Sequence, residues 1–302
     1  MAGEAQAYAR QAKSANTQRA YRADWADFAG WCARHGLAAL PAEPTTVALY
    51  LTDRARTRKP ATLARRLVAI SQAHQAAGHA APTRAPTVRQ VAAGIRRAKG
   101  VRPTSKAAAV TAEIRLMVEA LPPTLLGRRD RALLLLGFAG AFRRSELVAL
   151  DVADVQETGE GLIVTLRRAK TDQEGEGRAI GIPYGGHPQS CPVRALQDWL
   201  RAAGIGAGPL FRGLRRDGAL QGRLSDRGVA RVVQRQAKAI GLDPTRYGAH
   251  SLRAGLATAA AAAGKSERAI MQQTGHKSLP MVRRYIREGD LFRENAAAGL
   301  GL

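Results

Sequence analysis

The chain of 302 residues has only two cysteines, Cys32 and Cys191, and no long hydrophobic run. Two cysteines cannot form a disulfide framework, and neither sits in a paired metal-ligand motif, so the sequence reads as that of a protein from a reducing compartment, a bacterial cytoplasm. The longest apolar stretch, Ala132–Phe142, is too short to cross a bilayer. The opening Met1-Ala-Gly-Glu-Ala-Gln6 carries no hydrophobic signal segment, which argues against secretion and against a membrane partner.

Acidic residues are scarce as well. Asp and Glu number 24 against 47 Lys and Arg, a formal net charge of +23. Only 8 of the 47 are Lys; GC-rich codon usage accounts for Arg over Lys but not for so few acids. The imbalance argues against a neutral small-molecule enzyme working alone. It asks for a polyanion, and nucleic acid is the commonest one. Hydrophobic residues at 45% with 24% charged describe a soluble globular chain, and the length suits two domains.

The spacing of apolar residues predicts an all-helical first part, residues 1–106. Tyr21, Trp25, Phe28 and Cys32 form one helical stripe, with Ser14 or Asn16 to cap it and Gly36 to end it. Further helices follow Pro44, Pro60 and Pro86, the middle one carrying Leu63, Leu67 and Ile70. This part has a net charge of +13, denser than the +10 of the longer remainder. Its run Arg54, Arg56, Arg58, Lys59, Arg65 and Arg66 has only Asp53 beside it, whereas solvated faces usually mix signs. The run is a candidate for phosphate contact.

Residues 100–110 read as an exposed linker. Residues 107–302 are expected to form an α-rich second domain with a small antiparallel β-sheet. Its helices are predicted near 111–120, 128–141, 192–203, 225–240, 250–263, 266–274 and 280–287. Two strands, Gly161–Arg167 and Arg178–Pro183, flank a polar segment with Lys170 near a hairpin tip.

Several chemistries lack their motifs. Gly264-Lys265-Ser266 imitates the end of a phosphate-binding loop, but position 259 is Ala where the first glycine belongs, and a helix rather than a strand precedes it. His250 and His276 stand 26 apart without a carboxylate or thiol at ligand spacing, so no metal is expected. No Gly-x-Ser-x-Gly elbow is present. What remains is a set of cations and one phenol. Arg143 lies in Gly140-Ala-Phe-Arg-Arg-Ser-Glu-Leu147, and His250 and Arg253 are three apart in Ala249-His-Ser-Leu-Arg253. His276 lies in Thr274-Gly-His-Lys-Ser278, and Tyr285 follows nine residues later. Singly, each has a plain reading: Arg143 as a cation at a helix C-terminus, His250 as a satisfied histidine near a helix start, Tyr285 as a core residue beside Met281, Val282 and Ile286.

In order, Arg-x-Ser-Glu-Leu, Lys, His-x-x-Arg, Gly-His and Tyr resemble the tyrosine recombinases, the phage-integrase family, over residues 140–285. The basic helical first part is similar to that family's core-binding domain in helix count and charge. The stretch 269–287 is similar to Cre recombinase in particular, and the chain as a whole is Cre/Xer-like. It departs from Cre at His276, where Cre has tryptophan. It departs from commoner members after Arg253, where Ala-Gly replaces a frequent His-Thr.

The resemblance implies a site-specific DNA recombinase acting through a 3′-phosphotyrosyl intermediate without metal, ATP or other cofactor. Tyr285 would be the nucleophile, Arg143 and Arg253 the phosphate clamps, and Lys170 the general acid. His250 would assist proton transfer at the tyrosine, His276 would bond the phosphate, and Glu146 would hold a cationic neighbour. The implied partners are double-stranded DNA and three further copies of the chain, a homotetramer, with the tail containing Leu291 and Phe292 either exchanged between protomers or folded back. The rival readings are a type IB topoisomerase and a catalytically silent DNA-binding protein of the same fold.

Overall fold

The computed structural model describes residues 14–100, 106–167, 177–276 and 278–289. The chain divides into two compact units, residues 1–104 and 105–302. The architecture is mainly helical with small antiparallel sheets, the expected fold class. Among the described residues no helix is long and apolar enough to cross a membrane.

The first unit contains α1 (Ala15–Arg34), α2 (Pro44–Ala55), α3 (Pro60–Ala76) and α4 (Pro86–Lys99), with no strand among its described residues. Three of the four helices open on proline, whose fixed φ suits the first helical turn, where the missing N–H has no intrahelical acceptor to lose. Ser14 caps α1 by accepting from the Thr17 amide, and Gly36 leaves it at φ +65°. The core gathers Phe28, Cys32, Tyr50, Leu51, Leu63, Ile70 and Val88. His74, fully buried, accepts from the Ala42 amide through Nε2 and donates from Nδ1 to the Ile70 carbonyl.

This unit corrects part of the reading of the cationic run. Arg66 is buried, 2.7 Å from Asp27 and 3.7 Å from Asp24. Arg54 pairs with Asp27 and Asp53, and Arg65 reaches the buried Asp24 at 2.6 Å. Asp24 and Asp27 arrive on α1, far upstream in sequence, so the local window around Asp53 missed them. Arg56, Arg58 and Lys59 remain on the exposed surface.

The second unit begins with α5 (Thr111–Glu119), α6 (Leu125–Ala139) and the short α7 (Arg144–Ala149). A three-stranded antiparallel sheet follows, in the order β1 (Val155–Thr158), β2 (Gly161–Leu166), β3 (Arg178–Pro183). Then come α8 (Pro192–Ala202), a hairpin of β4 (Arg212–Leu214) and β5 (Leu220–Arg223), α9 (Asp226–Ala239), α10 (Ala249–Ala262), α11 (Glu267–Thr274) and α12 (Leu279–Gly289). Leu162, Val164 and Leu166 on β2 face the core with Ile180 and Ile182 on β3, as a period of two requires. β1, β4 and β5 were not legible beforehand: they are short, mostly polar, and β4–β5 carries a register shift.

Two expectations need correction. Residues 107–110 are not an exposed linker: the Ala107 amide donates to the Arg246 carbonyl at 2.8 Å, the Ala109 amide donates to the Ser251 carbonyl at 2.9 Å, and Ala109 is fully buried. The segment is docked on α10, and Gly255 makes room for it, since a Cβ there would stand 1.8 Å from the Ala109 carbonyl oxygen. That close approach explains glycine after Ala254. The apolar helix α6 also ends earlier than predicted, so Arg143 does not close a helix. It occupies the N-cap of α7.

Candidate active site

A tight turn between α6 and α7 presents Arg143. Its Gly140 has no room for a side chain, because a Cβ would lie 2.2 Å from the Phe142 ring. Ala141 sits at φ +49°, left-handed backbone that costs a non-glycine residue about 1 kcal/mol or more. Its carbonyl accepts 2.7 Å from Arg253 Nη1, which fixes the turn from the side of α10. Glu146, buried on the first turn of α7, accepts from the Arg143 amide at 2.9 Å and from the Arg143 guanidinium at 2.5 Å. One carboxylate thus caps the helix and aims the cation.

Helix α10 contributes His250 and Arg253 on one face. Arg253 is 1% exposed, and among the described residues its buried Nη2 has no hydrogen-bond partner. Burial and the charge of Arg143 pull the Arg253 guanidinium down to about 10, with Glu146 opposing. A buried guanidinium keeping an unspent donor is poised for an anion, because an unsatisfied charged donor is costly until something accepts from it.

Tyr285 on α12 is 9% exposed and packs with Ala254, Ala257, Ala261, Ile270 and Val282. Its hydroxyl lies 2.9 Å from His250 Nε2. Desolvation holds the His250 imidazole below its ordinary value even though part of the residue stays open to solvent. Arg253, Arg143 and Arg284 push in the same direction. A neutral imidazole can accept the phenolic proton through Nε2.

His276 follows Gly275, whose left-handed φ of +64° ends α11. The ring is 7% exposed and its centroid lies 5.8 Å from that of Tyr285. Its Nδ1 is 2.8 Å from Thr274 Oγ1, and that hydroxyl spends its one proton on the Ile270 carbonyl. Thr274 must therefore accept from His276, so the neutral ring carries its proton on Nδ1 and offers Nε2 as an acceptor. Burial, then Arg253, Arg143, His250 and Arg178, lower His276 to about 4.

The structure thus brings Arg143, Glu146, His250, Arg253, His276 and Tyr285 into one cluster within the second unit. Lys170 falls in residues 168–176, and Leu291 and Phe292 lie beyond 289; all three are outside the described residues. One cation was missed. Arg178, first residue of β3, is desolvated among these groups: burial lowers it, Glu146 supports its charge and Arg143 opposes it. The signal was available, since Arg178 is in phase with the buried Ile180 and Ile182, an odd place for a surface arginine. Among the described residues no group of three or more His, Cys, Asp or Glu could hold a metal ion.

The family model described as "Phage integrase family" matches residues 110–290. An integrase/recombinase xerD homolog from Selenomonas ruminantium is 42% identical over 291 residues, covering 95% of this chain and 85% of that protein. The tyrosine recombinase XerC of Myxococcus xanthus is 31% identical over 170 residues, 54% of this chain and 51% of its own length, so the chain spans about half of that relative. Among solved structures, a lambda integrase dimer bound to a COC′ core site superposes with a TM-score of 0.64 at 20% identity, covering 96% of this chain and 76% of that one. The XerH site-specific recombinase bound to palindromic difH, in a post-cleavage complex, gives 0.63 at 17% identity, covering 82% and 70%. At those identities the structural likeness speaks for the fold alone. With the family model spanning more than half of the residues and the xerD homolog matched along nearly all of them, this chain belongs to the phage integrase family, the tyrosine recombinases.

Proposed function

We propose that the protein is a site-specific DNA recombinase that cuts and rejoins duplex DNA through a covalent bond to Tyr285. The observation that carries this reading is the 2.9 Å contact of the Tyr285 hydroxyl with His250 Nε2, set among Arg143, Arg253 and His276. The phenolic proton passes to His250 as the oxygen attacks the scissile phosphorus. The bond to the 5′-oxygen breaks, that oxygen takes a proton from Lys170, and a 3′-phosphotyrosyl ester and a free 5′-hydroxyl result. Because the ester conserves the phosphodiester's energy, a 5′-hydroxyl from another strand reverses the step without ATP.

Arg143 and Arg253 offer planar donor forks to the non-bridging oxygens as charge accumulates there, and loss of one such donor costs on the order of 3 kcal/mol in the barrier. The Thr274 contact adds a condition for His276. Its neutral ring presents only an acceptor, so donation to a phosphate oxygen requires uptake of a proton. An anionic phosphodiester that offsets Arg143 and Arg253 favours that uptake.

Double-stranded DNA as partner is supported by the net charge of +23 and by relatives solved on DNA substrates. The core-binding role of residues 1–106, the catalytic role of residues 107–302 and assembly of four protomers on two duplexes belong to the same reading. It is tested by trapping with nicked duplexes taken from the DNA flanking the gene, in EDTA. A detergent-resistant adduct that vanishes in Tyr285→Phe, while that variant still binds, supports the reading. Adducts formed without site preference favour a topoisomerase. Binding with no adduct, on a randomised duplex library as well, leaves a silent DNA-binding protein.

A further inference from the structure

Arg178 has no part in the chemistry above, yet it is held in place beside it. Its Nη1 donates to two carbonyls at the end of α11, Gln272 at 2.9 Å and Gln273 at 3.3 Å, and among the described residues its buried Nη2 has no hydrogen-bond partner. The last carbonyls of a helix lack intrahelical donors and carry the negative end of its dipole, so a guanidinium there satisfies both. Gly275, the residue after α11, leaves room that Arg178 fills: a Cβ would stand 2.5 Å from Nη1 and 2.7 Å from Cζ. A second anchor lies alongside. Gln273 Nε2 donates to the Ala139 carbonyl at the end of α6 at 2.7 Å and to the Gly181 carbonyl on β3 at 3.2 Å. Strand β3 therefore grips α11 twice, just before the turn that carries His276.

We propose that Arg178 is a positioning residue that latches β3 to the carbonyl end of α11 and so fixes the Gly275–His276 turn against Tyr285. The proposal rests on the recombinase reading for its consequence in catalysis, but not for the latch itself. Arg178 need not touch the DNA. It acts through the backbone of Gln272 and Gln273 and through the close fit with Gly275. The groups facing the His276 ring are Arg253, Arg143, His250, Arg178 and Tyr285, so slackening the turn alters what the ring feels as well as where it sits.

The experiment compares wild type with Arg178→Met, Arg178→Lys, Gly275→Ala and the double variant Arg178→Met/Gly275→Ala. The His276 ring is followed by ¹⁵N NMR in the DNA-free protein, for tautomer and titration midpoint. Duplex affinity and the rate of covalent trapping on nicked DNA are measured on the same samples. Arg178→Met is expected to mix the His276 tautomers and raise its midpoint toward that of an ordinary histidine. It should slow trapping more than tenfold while duplex affinity stays within about twofold, and Arg178→Lys should recover part of both.

Gly275→Ala, which displaces the guanidinium, should reproduce the Arg178→Met spectrum. Because Gly275→Ala also strains the left-handed turn at φ +64°, the double variant is compared with Gly275→Ala, to which loss of the displaced guanidinium should add little. An unchanged His276 tautomer and midpoint in Arg178→Met overturns the latch, as does a double variant that falls below Gly275→Ala by the full effect of Arg178→Met. If Arg178→Met does not fold, Gly275→Ala and Arg178→Lys decide by the same readouts. If wild type binds DNA without forming an adduct, the recombinase reading fails, and the NMR arm still decides the latch.

Discussion

His250 Nε2 and the Tyr285 hydroxyl lie 2.9 Å apart, and burial with three neighbouring arginines keeps that imidazole neutral. A base held neutral beside a phenol can take its proton without first losing one of its own. Replacing His250 by Ala should slow covalent trapping by about 10²–10⁴-fold, the usual range for a positioned proton acceptor, with DNA affinity little changed. Because the folded His250 gives up its proton more readily than an ordinary histidine, the acid limb of the trapping rate should lie below pH 6.5. The limb is measured by the initial rate across pH 5 to 8 and should be absent in His250→Ala.

Arg143 and Glu146 form a pair in which the carboxylate side chain is 3% and the guanidinium 19% exposed. Arg143→Ala leaves the buried Glu146 without its hydrogen-bonded guanidinium, with only the charges of Arg178 and Arg253 to offset it, which should cost about 1–3 kcal/mol of stability. Adding Glu146→Ala removes the orphan and should restore part of that stability, while trapping stays abolished. Denaturant midpoints of the two single variants and the double variant measure the effect. Full additivity would mean that the pair is not coupled.

The docked segment before α5 depends on Gly255. Gly255→Ala places a methyl 1.8 Å from the Ala109 carbonyl oxygen, so the segment must lift and release its two backbone bonds to Arg246 and Ser251. A loss of about 2–3 kcal/mol is expected from thermal unfolding. Gly248→Ala would be a poor control because Gly248 caps α10. Gly222, with open space at its Cβ position, serves better.

His276 gives a pH dependence with a definite sign. Folded, it holds out against protonation to about pH 4, whereas unfolded it takes a proton near 6.5. As pH falls from 6.5 to 4 the unfolded state alone gains a proton, so stability drops, by about 3 kcal/mol at 1.36 kcal/mol per unit. Above 6.5 the residue has no such effect. His276→Gln should lose that much less stability than wild type between pH 7.5 and pH 4, measured by urea midpoints.

Arg66 and its exposed neighbours should separate cleanly. Arg56→Ala and Arg58→Ala should weaken duplex binding and each lower the slope of log K against log salt by about 0.9, as expected for one phosphate contact. Arg66→Met should leave the slope unchanged and instead lower the melting temperature, since it removes the buried cation that Asp24 and Asp27 share and leaves them only Arg65 and Arg54. A salt slope altered by Arg66→Met but not by Arg56→Ala or Arg58→Ala would reverse the assignment.

Helices with proline at their start and an apolar stripe, such as α2, α3 and α4, were readable because their signals are local. Arg143, His250, Arg253, His276 and Tyr285 stood out only through the order of their motifs and the family resemblance, since taken singly they have plain readings. Contacts across the chain were not readable. Asp24 neutralising Arg65, Ala109 lying over Gly255 and Arg178 reaching the end of α11 join residues far apart in sequence. β1 and the β4–β5 hairpin also escaped notice, since three or four mostly polar residues carry too little alternation to register.

The packing around Tyr285 has a thermodynamic consequence. Among the described residues, and apart from Ile270 and Val282, its buried apolar neighbours are the methyl groups of Ala254, Ala257 and Ala261, each removing far less apolar surface from water than the leucines that surround α6. These described contacts fasten the Tyr285 stretch of α12 more lightly than the leucines fasten α6. The amide hydrogens of that stretch should exchange through partial openings, well before the leucine-rich core lets go. On the recombinase reading, a modest input of binding energy would then dock or release the Tyr285 phenol without unfolding the second unit.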